Sequence, residues 1–246
     1  MKRDPLPHIL AAFGLLTRLP LPRHLPVGAR AAWAWPLVGV VVGGLAGLAG
    51  WCVQGLGAGV AAGIVLISQA LLTGAMHEDG LADTADGLWG GWTREQRLEI
   101  MKDSHIGSYG VLALLLLTLM RWSALTALIG AGGVIPAAIA AGALSRVPMA
   151  VLMALMPNAR DSGLSQSVGH PPAETALTAL AIALVVATVA VGPTATLLAT
   201  LLAALPCAAL ALVARTRIGG QTGDILGASQ QLAEVAILAA LAARIA

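Results

Sequence analysis

Charge is what this sequence has least of: Asp, Glu, Lys and Arg make up 11% of its 246 residues, against about a quarter in soluble domains. Hydrophobic residues account for 58%, and the mean hydropathy is +0.85. A soluble domain of this size needs a polar shell that these residues cannot supply. The composition therefore excludes that class and indicates an all-α integral-membrane protein, one domain over 1–246. Cysteine is scarce too. Cys52 and Cys207 lie singly in apolar segments, and the lack of CxxC or Cys/His spacing excludes a zinc site or a disulfide framework, leaving them as packing residues. A net charge of +2 says little about partners, because sign matters loop by loop in such a chain. No nucleic-acid partner is expected, and homo-oligomerisation is left open. No internal repeat marks the two halves of a transporter.

Long apolar runs are what the chain does have. A helix crosses a bilayer in about 20 apolar residues, and seven stretches qualify: 34–55, 58–76, 110–129, 133–156, 174–192, 194–214 and 225–243. The linkers between them alternate in character. GLGAG, GAGG and VGPT carry no charge, whereas the N-terminal segment and the linkers at 77–109, 157–173 and 215–224 hold 11 of the 14 Lys/Arg. The positive-inside rule makes the N-terminus and these linkers cytoplasmic and puts the C-terminus outside. The reading is thus a polytopic helical bundle of about seven transmembrane helices with a cytoplasmic N-terminus. In the segment 1–30, the run from Ile9 to Leu16 is too short and too proline-flanked to span, so it is read as an interfacial helix retained on the mature protein rather than a cleaved leader. Trp33, Trp35 and Trp51 are expected as interfacial anchors. Gly39, Gly43, Gly44, Gly47 and Gly50 form rows of small residues suited to close helix packing.

The sidedness brings HEDGLADTADG, MKDSHIGSYG, PNARDSG and RTRIGGQTGD to one membrane surface. Seven of the twelve acids lie between Glu78 and Asp103, in the linker 77–109. If the second helix continues past Met76, Asp79, Asp83 and Asp86 fall at i, i+4 and i+7 on one side, with Glu78 about 100° away. Carboxylates that close repel one another unless a cation sits among them, and an oxygen-only set favours Mg²⁺ or Mn²⁺ over zinc. The bland alternative is a solvated acidic loop. Gly80 and Gly87 argue against it, since they permit close backbone approach to a ligand and weaken an ordinary helix. A divalent cation held at a bilayer surface beside cationic groups suits a diphosphate-bearing substrate. Arg146 and Arg160 offer planar forks for phosphate oxygens. Arg146 lies within a span, where an unpartnered guanidinium is costly, so it must face a partner or a polar cavity. The general base is expected in Asp103, with Lys102 beside it keeping it ionised and serving the substrate, and Asp224 is the next candidate. The histidines are assigned no role beyond His77 as a hydrogen-bonding neighbour of the metal shell.

HEDGLADTADGLWGG followed by RLEIMKDSHIGSYG resembles the signature of the cobalamin synthase family, the adenosylcobinamide-GDP ribazoletransferases. LLTRLPLP, PLVGVVVG, SRVPMAVLMALMPNARDSGL and GGQTGDILGA extend the likeness along nearly the whole chain in the family's order. Glu78 stands where the family pattern is variable and often apolar, so it is not counted as a metal ligand. The resemblance implies a reaction in which a ribose hydroxyl of α-ribazole, or of its 5′-phosphate, attacks the cobinamide-linked phosphate of adenosylcobinamide-GDP and GMP leaves. It also implies Mg²⁺ dependence and a setting in the inner membrane, in contact with the lipid bilayer. Two other classes compete. A CDP-alcohol phosphotransferase shares the DGLAD-like opening, but Asp83 stands where its Arg is expected and the later GxxxDxxxD is absent. An ion-coupled transporter would place its acids near the bilayer midplane on broken helices.

Overall fold

The computed structural model describes residues 4–23 and 25–245. Among them the chain is helical with no strand, apart from an isolated bridge between Asn158 and Gln221. The helices are α1 (Leu6–Leu16), α2 (Trp35–Cys52, entered through a 3₁₀ segment Gly28–Ala34), α3 (Ala58–Thr73), α4 (Met76–Gly90), α5 (Arg94–Ile100), α6 (Ser108–Gly130), α7 (Val134–Ser145), α8 (Val147–Leu155), α9 (Leu164–Val168), α10 (Ala173–Val191), α11 (Pro193–Ile218) and α12 (Gly223–Ala242). Six units are long and apolar enough to cross a membrane: Gly28–Cys52, Ser108–Gly130, Val134–Leu155, Ala173–Val191, Pro193–Ile218 and Gly223–Ala242. A seventh qualifies only if α3 and α4 are taken together, across a 90° bend.

That bend sets the architecture of the site. Gly74 (φ 66°) and Ala75 (φ 56°) are both left-handed. Glycine adopts this conformation freely, whereas for an L-residue such as Ala75 it costs roughly 1–2 kcal/mol. The N-terminal segment straps the bend. The backbone N–H of Arg18 donates to the carbonyl of Leu72 at 2.8 Å, and the Arg18 side chain occupies the space a Cβ on Gly74 would need. The segment containing the acids is thus no linker but helix α4, with α5 after it. His77, Gly80, Leu81, Thr84, Gly87 and Leu88 recur at three- and four-residue spacing and are buried as one stripe. The acids dominate the hydropathy of this stretch and mask the stripe in the sequence.

α12 is the central helix, with 83% of its most apolar stretch buried, against 28% for α6 and α11 and 22% for α10. The glycine row of α2 packs as its small residues predict: a Cβ on Gly39 or Gly43 would strike the backbone of Gly142 or Ala138 on α7. Trp35 departs from expectation. It is 3% exposed and belongs to the core, because the 3₁₀ segment turns it inward. Trp51 is exposed, and the indole N–H of Trp33 donates to His8 at 3.1 Å. α1 lies on the 3₁₀ segment and buries Ala12 and Leu16.

Candidate active site

One end of the bundle gathers the polar segments. Arg94 donates to the carbonyls of Ile218 and Ala159, and Arg217 to that of Leu88. These bonds join α4, α5, the 157–163 loop and the end of α11. A cleft of about 480 Å³ opens there between α4, α6 and the 101–106 loop, lined by Asp79, Asp83, Lys102, Asp103, His105 and Leu114 among others. Residues from two expected motifs, HEDGLAD and MKDSHIG, therefore face a common space.

A carboxylate from a different helix, Asp224, does not line the cleft but acts on Asp83 from beside it. Asp83 feels the negative charge of Asp79 and Asp224 more strongly than that of Asp86, and the positive charge of Arg160 as well. Asp224 opens α12, where the Thr222 hydroxyl caps the helix by accepting from the N–H of Ile225 at 3.3 Å. Arg160 donates to Asp224 Oδ2 at 3.0 Å, and the other terminal nitrogen of Arg160 is buried without a hydrogen-bond partner among the described residues. The Arg160 loop is seated by Asn158, Ser165 and Gln221: Ser165 donates to the Gln221 side chain at 2.6 Å, and Gln221 in turn donates to Asn158.

Asp86 is turned elsewhere. Its two oxygens accept from the N–H groups of Gly107 (2.7 Å) and Gly110 (2.9 Å), at the amino end of α6. There the unpaired N–H groups and the helix dipole favour a carboxylate. A Cβ on either glycine would collide with Asp86, which is the physical reason for the spacing in GSYG. Gly80 and Gly87, expected to approach a ligand, instead permit helix contact. A Cβ on Gly80 would lie 3.0 Å from the carbonyl oxygen of Asp224, and one on Gly87 would strike Met101 and the Arg97 carbonyl. Among the described residues no three His, Cys, Asp or Glu side chains are arranged to hold a metal ion by themselves. Asp79 and Asp83 nevertheless offer carboxylate oxygens to the cleft, and such hard donors suit Mg²⁺. That ion is commonly held by one or two carboxylates with water and substrate phosphates completing its shell, so Asp79 and Asp83 fit it.

Asp103 and His105 pair at the rim. His105 Nδ1 and Asp103 Oδ1 are 2.6 Å apart, and the backbone N–H of His105 donates to the same oxygen. This hydrogen bonding lowers the Asp103 pKa and raises that of His105 from their ordinary values. Lys102 is exposed beside them.

Behind the cleft lies a buried ionic network. Arg121 donates to Glu78 (3.2 Å), Gln231 (2.7 Å), Gln69 (2.7 Å) and Glu234 (3.2 Å). Arg146 does not line the cleft. It sits between α7 and α8, where it donates to Ser145 (2.9 Å) and the Gly142 carbonyl and pairs with Glu234 at 3.5 Å. The partner that its place in the span demands is therefore Glu234, with two guanidinium groups facing two carboxylates. Glu234, Gln69, Gln230 and Gln231 were absent from the sequence reading. Their one signal was a carboxylate in the middle of an apolar span, which by its cost marks a partner. His77 is buried, with Nε2 unpartnered among the described residues.

Comparison with known proteins finds relatives along nearly the whole chain. The model of the cobalamin-5-phosphate synthase family matches residues 8–242. The adenosylcobinamide-GDP ribazoletransferase of Bradyrhizobium diazoefficiens is 45% identical over 98% of this chain and 95% of its own length. That of Azorhizobium caulinodans is 43% identical over 93% and 92%, and that of Brucella ovis 38% over 94% and 95%. No solved structure matches the chain. With the family pattern running from α1 to the end of α12 and relatives matched over nearly their full length, the chain belongs to the cobalamin-5-phosphate synthase family.

Proposed function

We propose that the chain is a membrane-embedded ribazoletransferase that joins adenosylcobinamide-GDP to α-ribazole or α-ribazole 5′-phosphate and releases GMP, a late step of cobalamin biosynthesis, with its cleft on the cytoplasmic face of the inner membrane. The reading is supported by the names of its full-length relatives. One observation carries it: Asp79 and Asp83 share a cleft with Lys102 and Asp103 while Asp224 and Arg160 stand against them. Carboxylates for a cation, cations for phosphates and a carboxylate for a proton thus stand together.

In the reaction the ribose hydroxyl oxygen forms a bond to the phosphorus that bears the cobinamide. The bond from that phosphorus to the GMP oxygen breaks, and GMP leaves with the electron pair. Arg160, through its unpartnered nitrogen, and Lys102 bind the diphosphate, and Asp224 keeps the Arg160 fork in place. Asp103 receives the hydroxyl proton. Mg²⁺ held by Asp79 and Asp83 would neutralise phosphate charge.

The test uses the full chain reconstituted in lipid nanodiscs with adenosylcobinamide-GDP and α-ribazole, separating the cobamide product and GMP by chromatography with and without Mg²⁺. Stoichiometric product and GMP are expected only with Mg²⁺, together with turnover at least about 100-fold slower in Asp103→Asn at near-normal substrate binding. GMP release without a cobamide product would reject the transferase reading. Loss of substrate binding in Asp103→Asn would make Asp103 a ligand or scaffold residue instead.

A further inference from the structure

A second cavity opens on the outer side of the bundle, away from the cleft. It is a half-open groove of about 610 Å³ between α8, α10 and α11, in the size range of small-molecule sites. Its walls are apolar, among them Val151, Leu155, Leu180 and Leu212. Its cause lies in the sequence of α11. Ala203, Ala204, Ala208 and Ala211 are too small to fill the wedge that α11 leaves against α8 as it packs on α12. At one end stands Arg215, in the last turn of α11. It is exposed, and among the described residues no hydrogen bond or ion pair engages it, whereas Arg217 two residues on bonds the Leu88 carbonyl and lies over Trp89.

We propose that this groove binds one anionic phospholipid, with an acyl chain along the alanine face of α11 and its phosphate on Arg215. Length and charge both select this occupant. From Arg215 to Thr200, the deepest polar residue of the wall, the helix rises about 22 Å. That carries the groove from the level of the headgroups to beyond the middle of a hydrocarbon core about 30 Å thick. An arginine at the headgroup level, without a partner among the described residues, offers charge-assisted hydrogen bonds to a phosphate. A second copy of the chain would bring its own apolar surface to the groove but leave this arginine uncompensated. Arg215 and Asp224 lie at the same end of the bundle, so the lipid would seat α11 beside the loop that carries Arg160.

Native mass spectrometry of the detergent-solubilised full chain, titrated with phosphatidylglycerol or phosphatidylcholine, tests the assignment with three proteins: the parent chain, Arg215→Gln and Ala208→Phe. Neither substituted residue belongs to the proposed catalytic machinery. The parent chain should retain one phosphatidylglycerol in preference to phosphatidylcholine by about fivefold, the scale of one basic residue acting on an anionic lipid. Arg215→Gln, an exposed change that the fold tolerates, should abolish the preference, and Ala208→Phe should lower retention of both lipids by filling the groove. Equal retention of the two lipids by the parent chain, or an unchanged preference in Arg215→Gln, overturns the proposal. So does a dimer without bound lipid, which would make a second copy the occupant.

Discussion

Asp79, Asp83 and Asp86 are three carboxylates on one short helix held by different surroundings, and substitution should separate them. Asp86 accepts two N–H bonds at the start of α6. Asp86→Asn puts an amide where an ionised acceptor is wanted and should destabilise the fold by about 2 kcal/mol, read as a lower unfolding temperature in detergent. Asp79→Asn and Asp83→Asn, which relieve repulsion at the cleft, should leave that temperature nearly unchanged, reduce turnover at least about 100-fold and raise the Mg²⁺ requirement. Identical Mg²⁺ titrations in both variants would remove these acids from the metal site. Asp103 and His105 give a pH signature. His105, with its pKa raised, orders the loop while protonated and ceases to do so as pH rises through that value. Asp103, with its pKa lowered, does so while ionised and stops as pH falls through its own. The 101–106 loop should therefore be most ordered in the weakly acidic window between the two. Asp103→Asn should return the His105 midpoint, followed by NMR of labelled histidine, to its ordinary value, and an unmoved midpoint would show that the pair is not formed in solution.

At the scale of the elements, two breaks and one central helix organise the molecule. The α3–α4 break turns the acids into the cleft, and the α7–α8 break places Arg146 against α12. Glu234 on α12 is the residue on which both arginines converge. Removing one partner from a buried ionic network leaves an uncompensated charge, which typically costs about 3–5 kcal/mol. Glu234→Ala should accordingly yield little folded protein, whereas Glu234→Gln, which keeps an oxygen for Gln69 to donate to, should lose less. Equal thermal stability of Glu234→Ala and the parent chain would show that the network does not hold the helices together. Glu78 gives this network a bearing on the site. It accepts from Arg121 and from Gln231 (3.1 Å) and directly precedes Asp79, so the rotation of α4 is fixed from behind the cleft.

For the whole molecule, the decisive prediction is sidedness. If the end bearing the cleft faces the cytoplasm, single cysteines replacing Ala58, Ala131 and Pro193 in a chain freed of its native cysteines should react with an impermeant thiol reagent from outside, and one replacing Ser162 should not. The reverse pattern would put the cleft outside and with it overturn the proposed access to a cytoplasmic nucleotide substrate. The structure itself gathers at one end the four motif-bearing segments that the charge distribution had grouped, because each polar linker joins two helices on the same side of the bundle.

Membrane class, the places of six of the seven expected spans and the common end of the polar segments were legible in the sequence, since each follows from local hydropathy and charge; the second, 58–76, ends at the bend and qualifies only together with α4. A stretch such as Ala173–Val191 can lower its free energy only by leaving water as a helix, whatever its neighbours. The tertiary structure alone decided which side chains meet. Asp224 joins Asp79 and Asp83 from 145 and 141 residues away in sequence, because Gly80 lets α4 press against the first turn of α12. Asp86 leaves that group for the amino end of α6, although its helical spacing had placed it beside the other two. Arg146 finds Glu234 rather than the cleft. Helical periodicity fixes the direction of a side chain relative to its own helix. What lies in that direction is set by the packing of other helices, and here the left-handed pair Gly74–Ala75 and the small residues at the crossings determine it.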